Sequence, residues 1–115
     1  MIAVIFEVIP AKGQKDHYLA LAADLKDKLE DIDGFISIER FQSLVDDQKI
    51  LSLSFWRDEA AVKEWRNCFD HRQTQMKGRE GGGSNYRLRV ACVERDYGLN
   101  ERAEAPADSK ALFSY

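Results

Sequence analysis

The chain has 115 residues, a formal net charge of −3 and a pI near 5.4. This length fits a single domain, which would bury roughly two thirds of the surface that the unfolded chain exposes. Acidic and basic residues are interspersed without a basic patch, so binding to nucleic acid is disfavoured. No stretch of the sequence is long and apolar enough to span a membrane.

The cysteine pattern indicates reduced thiols. Cys68 and Cys92 lie far apart and form neither a CxxC pair nor a metal-ligand spacing. Two reduced thiols and a cytoplasmic location are therefore expected, without a disulfide or a metal site. The apolar run from Met1 to Ile9 has no basic start and contains Glu7, so it is predicted to be a strand and not a signal peptide.

The chain begins with a predicted strand and a predicted helix. Ile2 to Ile9 is rich in β-branched residues and stops at Pro10, which cannot donate to a ladder. The following stretch carries apolar residues at helical period and ends near Gly34. The members of this apolar stripe are Tyr18, Leu21, Ala22, Leu25, Leu29 and Ile32.

A hairpin is predicted next. Its strands are Phe35 to Gln42 and Ile50 to Trp56, and the turn between them contains the turn-forming pair Asp46 and Asp47. Later in the chain, a fourth strand is predicted from Tyr86 to Val93, because residues with apolar or aromatic side chains at 86, 88, 90 and 92 alternate with a second set at 87, 89, 91 and 93. A run of three glycines precedes it, without the spacing or the following helix of a phosphate-binding loop.

Between Trp56 and Tyr86 the spacing of the apolar residues changes from two to three and four, which predicts a second helix. Asp58 can accept hydrogen bonds from the free amides of the first turn, and Lys77 to Arg79 mark the end. The residues that recur at spacings of three and four are Val62, Trp65, Phe69, Arg72 and Met76.

The element order β-α-β-β-α-β predicts an α+β fold of the ferredoxin-like type, with both helices on one face of an antiparallel sheet. Both faces of the sheet are apolar, since Phe6 and Val8 point one way and Ile5 and Ile9 the other. A second copy of the sheet is predicted to cover the face without helices, which makes the protein a homodimer. The alternatives are that the C-terminal tail folds across this face or swaps onto the partner.

Three stretches carry a resemblance to a known family. SFWRDEAAVKEWRN spans Ser54 to Asn67, HRQTQMKGR spans His71 to Arg79, and YRLRVACVERDYG spans Tyr86 to Gly98. With these stretches the chain resembles the antibiotic biosynthesis monooxygenase superfamily of dimeric α+β barrels. The resemblance covers residues 1–98 and leaves residues 99–115 as a C-terminal tail.

The resemblance implies a cofactor-independent monooxygenase that acts on a hydrophobic aromatic molecule, such as a quinol or a polyketide, without metal, flavin or haem. Haem-degrading members carry an Asn on the first strand, where this chain has Phe6 and Glu7. The cofactor-free members carry the pattern Asn-x3-Trp-x5-Tyr on the second helix. Ala61, Trp65 and His71 occupy these positions here, so only the Trp is shared.

The candidate catalytic residue is His71, because an imidazole with an ordinary pKa of about 6.5 suits proton removal from a phenol. Arg72 could pair with the resulting anion, while Trp65, Phe6 and Phe55 would hold the ring. The same side chains also fit structural roles, with Trp65 packed in the core and the stem of Arg72 lying over apolar surface. A non-catalytic dimeric protein that binds a small molecule or serves a stress response is therefore the alternative hypothesis.

Overall fold

The computed structural model describes the backbone of residues 1–80 and 85–112 and the side chains of residues 1–69 and 85–111. Its elements are β1 (Ile2–Ile9), α1 (Lys15–Glu30), β2 (Phe35–Gln42), β3 (Ile50–Trp56), α2 (Glu59–Glu80), β4 (Asn85–Cys92) and α3 (Ala107–Leu112). All strand pairs are antiparallel and the strand order is β2-β3-β1-β4. The predicted ferredoxin-like α+β fold is therefore confirmed, and α3 is an addition that the sequence pattern does not predict.

The first helix ends slightly before the predicted boundary. The N–H of Ile32 donates to the carbonyl of Leu29 at 3.1 Å in a turn beyond α1. Gly34 then adopts a φ of +94°, which reverses the chain toward β2. A Cβ at this position would lie 2.8 Å from the Cβ of Ala61. Only glycine therefore allows the turn to pack this closely against α2.

The start of α2 is fixed by a cap and an ion-pair network. The N–H of Ala61 donates to Oδ1 of Asp58 at 3.0 Å, which confirms the predicted cap and lowers the pKa of Asp58. Arg57 donates to Oδ2 of Asp58 at 3.0 Å and to both oxygens of Asp33 at 3.1 and 3.0 Å. Its hydrogen bonds lower the pKa of Asp33 and link the α1–β2 loop to the start of α2.

One face of the sheet, called the helix-side face below, holds the core. Its residues on the two central strands are Ile2, Val4, Phe6, Val8, Ile50, Ser52, Ser54 and Trp56, all of them buried. Leu29 from α1 and Val62 and Trp65 from α2 belong to the same core cluster. The predicted apolar stripe of α1 and the part of the α2 stripe up to Phe69 therefore pack against this face, whereas the side chains of Arg72 and Met76 lie outside the described residues.

The other face, called the open face below, is apolar at its centre. Ile5 on β1 pairs with Leu53 on β3, and both side chains are only half-buried in the single chain. Phe41 on the edge strand β2 is 42% exposed. Toward one end, Glu7 accepts a hydrogen bond from Arg89 at 3.0 Å. The predicted alternation of β1 is confirmed, and an exposed apolar area remains on this face.

The chain is also more elongated than a compact domain. Its radius of gyration is 17.0 Å and its extents are 57 × 34 × 20 Å. A compact domain of this length has a radius of gyration of about 13 Å. Within the described residues, none of the helices is both long and apolar enough to cross a membrane.

Candidate functional site

A cleft lies between the helix-side face of the sheet and the two long helices, with a cavity volume of about 50 Å³. Its aliphatic wall comes from α1 and β2 and consists of Leu21, Ala22, Leu25, Leu29 and Ile38. Its aromatic wall consists of Phe6 from β1 and Trp65 and Phe69 from α2. Polar groups enter from Tyr18, Arg40 and Ser52. An apolar cleft with few polar groups is the usual form of a small-molecule site.

The aromatic wall is a continuous cluster of rings. Trp65 and Phe69, four residues apart on α2, stack with their centroids 5.1 Å apart and their planes at 12°. Phe6 meets Phe69 edge-on at 4.9 Å and lies 5.4 Å from the ring of Tyr86. Because Trp65 is only 4% exposed, its orientation is held by packing. The cleft is therefore bordered on this side by tightly packed aromatic side chains.

The polar part of the cleft is centred on Arg40. Its Nη2 donates to the carbonyl of Ala22 at 3.1 Å, while its buried Nε has no hydrogen-bond partner within residues 1–69 and 85–111. Burial raises the pKa of Tyr18, although the charge of Arg40 and a hydrogen bond with it act in the opposite direction. The phenol of Tyr18 therefore stays protonated at neutral pH and is available as a hydrogen-bond donor.

The predicted site residues fall into three groups. Phe6 and Trp65 lie together in the aromatic wall of the cleft. Phe55 lies on the open face, where it pairs with Ala3, so it is separated from the cleft by the sheet. His71 and Arg72 belong to α2, but their side chains lie outside the described residues. Their roles as base and anion partner therefore stay predictions.

Most residues that line the cleft are not among the predicted site residues, and Tyr18 and Arg40 are two of them. Tyr18 is part of the predicted apolar stripe of α1, where its phenol was the available signal. Arg40 is one of several charged residues near a hairpin, and its direction depends on a register shift in β2 between Phe35 and Ser37. Because a bulge exchanges the two faces of a strand, simple alternation through β2 does not assign Arg40 to the helix side.

Among the side chains that the structure describes, no group of three or more His, Cys, Asp or Glu residues could hold a metal ion. Cys68 and Cys92 are free thiols. The chemistry available in the described part of the cleft is therefore apolar packing, aromatic stacking and hydrogen-bond donation by a guanidinium and a phenol.

Comparison with curated proteins gives two informative relatives. The chain is 46% identical over 101 residues to jasmonate monooxygenase ABM of Pyricularia oryzae, which covers 88% of this chain and 47% of that protein. It is 28% identical over 93 residues to the uncharacterized protein YqjZ of Bacillus subtilis, covering 81% of this chain and 79% of the relative. The chain thus spans about half the length of the Pyricularia protein.

Solved structures show the same fold at low identity. A mutant of SnoaB, a cofactor-independent oxygenase of Streptomyces nogalater, aligns with a TM-score of 0.67 at 11% identity, covering 83% of this chain and 94% of the other. Rv0793 of Mycobacterium tuberculosis aligns with a TM-score of 0.64 at 18% identity, covering 83% and 98%. The family model described as antibiotic biosynthesis monooxygenase matches residues 1–77. With a match over this much of its length, the chain belongs to the antibiotic biosynthesis monooxygenase family.

Proposed function

We propose that this protein is a cofactor-independent monooxygenase that oxidises a hydrophobic aromatic small molecule in the cleft between the sheet and the helices. The observation that carries the proposal is the stacked pair Trp65 and Phe69, which borders the cleft beside buried hydrogen-bond donors. Family membership supports the reaction type, since the relatives include a jasmonate monooxygenase and a cofactor-independent oxygenase.

The reaction needs no external reductant when the substrate itself supplies the two electrons and two hydrogens that convert the second oxygen atom into water. An anthrone-like phenol that loses a proton can pass one electron to dioxygen, and recombination of the two radicals forms a hydroperoxide at the methylene carbon. Loss of water then leaves a ketone. One oxygen atom enters the product, and the other leaves in water together with the two methylene hydrogens. The protein must therefore provide a base, an apolar site and a donor for the oxyanion.

Each of these tasks has a candidate residue in the proposal. Phe6 and Trp65 hold the ring of the substrate within the aromatic wall. His71 is the proposed base, and Arg72 is the proposed partner of the anion. Both residues follow Trp65 on the same helix, one to two turns further along the chain. The free thiols Cys68 and Cys92 support a cytoplasmic location for this chemistry.

We also propose that the protein works as a homodimer joined through the open face. Ile5, Leu53 and Phe55 are half-buried and Phe41 is exposed in the single chain, so covering them would bury apolar area. Residues 1–98 form the proposed family domain, and residues 99–115 form a tail that contains α3.

The small size of the cleft favours one alternative. A cavity of about 50 Å³ is smaller than the roughly 150 Å³ cavity that admits benzene in an engineered protein core. A ring could enter only if the aromatic wall moved or if the open side of the cleft held part of the ligand. A dimeric module that binds a small molecule without catalysis is therefore the second candidate.

Oxygen consumption separates the two functions. The purified protein, treated with a chelator and given no cofactor, would be mixed with quinols and anthrone-like phenols in turn. A monooxygenase consumes dioxygen in proportion to the substrate added and releases no stoichiometric hydrogen peroxide. Binding of a compound without oxygen uptake across the whole panel would support the non-catalytic alternative.

A further inference from the structure

The guanidinium of Arg40 has a buried N–H group that makes no hydrogen bond to the described residues. Its Nη2 donates to the carbonyl of Ala22 at 3.1 Å, but its buried Nε has no hydrogen-bond partner among the side chains that the structure describes. None of the ion pairs found among residues 1–69 and 85–111 includes Arg40. An unsatisfied buried donor calls for an explanation.

The position of this guanidinium points to a ligand as the explanation. Arg40 lines the same cleft as Trp65 and Phe69, so a molecule stacked on the aromatic wall can reach it. The protonated phenol of Tyr18 lies against Arg40 and adds a second donor. Arg40 also pairs across the strands with Ser52, whose hydroxyl lines the cleft. Donors thus gather at one end of an otherwise apolar site.

We propose that Arg40 binds one oxyanion of the ligand, and that an apolar body attached to this oxyanion packs on Trp65 and Phe69. This inference rests on the proposed function, because it assigns a charge to the ligand of the same cleft. Arginine suits the task because its planar fork of N–H groups matches a carboxylate and stays charged at every physiological pH. The oxyanion is either a permanent carboxylate or the ring oxygen of a deprotonated phenol.

Binding of small probes tests the proposal without turnover. Benzoate and benzamide have the same ring and nearly the same shape, but only benzoate is charged at neutral pH. The wild-type protein, titrated by NMR, should bind benzoate about tenfold or more tightly than benzamide, as expected for a hydrogen bond to a charged group. Equal affinities for the two probes would overturn the proposal.

Variants of Arg40 test whether this residue causes the preference for benzoate over benzamide. Arg40→Gln should lose the preference for benzoate, whereas Arg40→Lys, which keeps the charge, should retain part of it. Arg66→Gln is the matched control, because Arg66 is exposed on α2 and its loss changes the net charge equally. Circular dichroism of each variant verifies folding. A preference that survives Arg40→Gln, or that disappears equally in Arg66→Gln, would contradict a role for Arg40.

A coloured phenol identifies the source of the charge. The phenolate of 4-nitrophenol absorbs visible light, so the bound form is observed directly. If the site accepts a ring oxyanion, wild type should lower the pKa of the bound phenol and Arg40→Gln should not. If only benzoate shows the preference, the ligand is a carboxylic acid. Oxygen uptake without any preference for anions would reject this inference and leave the monooxygenase proposal intact.

Discussion

The indole of Trp65 lies almost parallel to the ring of Phe69, with 5.1 Å between centroids and 12° between planes. The other tryptophan, Trp56, is fully buried and donates from its Nε1 to Oγ of Ser54 at 2.9 Å. Only Trp65 lines the cleft. The two tryptophans therefore have separable roles, one at the site and one in the core alone.

This pair provides a matched test of the aromatic wall. Trp65→Phe and Trp56→Phe each remove buried ring area, so each should lower the free energy of unfolding by roughly 1–3 kcal/mol. Only Trp65→Phe should weaken ligand binding, because only that residue borders the cleft. Urea denaturation gives the stabilities, and a benzoate titration gives the affinities.

Comparison of the two affinities decides the outcome. If Trp56→Phe weakened binding as much as Trp65→Phe at equal stability, the cleft would not be the binding site. If neither substitution changed the affinity, the stacked pair would be ordinary core packing.

His71 is predicted to be the base that starts the reaction. In His71→Gln the side chain remains polar but cannot accept the phenolic proton, so the rate of oxygen uptake should fall about 100-fold or more. Substrate binding should change little. His17→Gln on α1 is the matched control, since it removes the other histidine of the chain. Equal rates for wild type and His71→Gln would exclude His71 as the base.

The homodimer is predicted to depend on the open face. Phe41→Glu places a charge on that face and should shift the protein toward a monomer, because a buried charge without a partner is costly. Leu44→Glu is the control, since Leu44 is fully exposed in the turn between β2 and β3. Analytical ultracentrifugation measures both. A monomeric wild type in dilute solution would contradict the predicted assembly.

Acid should weaken the cap of α2. The N–H of Ala61 and the guanidinium of Arg57 lower the pKa of Asp58 below its ordinary value of 3.8. The folded state therefore holds this proton less strongly than the unfolded state, and the stabilisation is present above pH 3.8 and lost as the pH falls through the lowered pKa. Asp58→Asn should be less stable at pH 7 and show a shallower loss of stability in acid. Parallel profiles from chemical denaturation would exclude this role.

The fold follows from local patterns, whereas the site depends on register. Alternation in β1 and the helical stripe through Tyr18 and Leu29 are properties of neighbouring residues, so they predict the elements and their buried faces. The direction of Arg40 depends instead on the register shift near Phe35, and its meeting with Tyr18 joins residues from separate elements. Such a contact arises from packing between elements and has no signature in either segment alone.

Phe55 is a second residue whose position relative to the cleft depends on more than its place in the sequence. It adjoins Trp56 in the sequence and was predicted to hold the ring, yet successive strand residues point to opposite faces. Trp65 was assigned to the site through the family resemblance, and its stacking on Phe69 follows from their spacing of four residues along α2. The residue types of Trp65 and Phe69 do not by themselves distinguish these two residues from the rest of the core.

The most direct measurement of the central claim is the fate of isotopically labelled dioxygen. A substrate found by oxygen uptake would be turned over by chelator-treated protein under labelled dioxygen in ordinary water, and the product would be analysed by mass spectrometry. A cofactor-independent monooxygenase should place one labelled oxygen atom in each product molecule, with the other in water. A product without label, or turnover that requires an added metal or flavin, would contradict the proposed function.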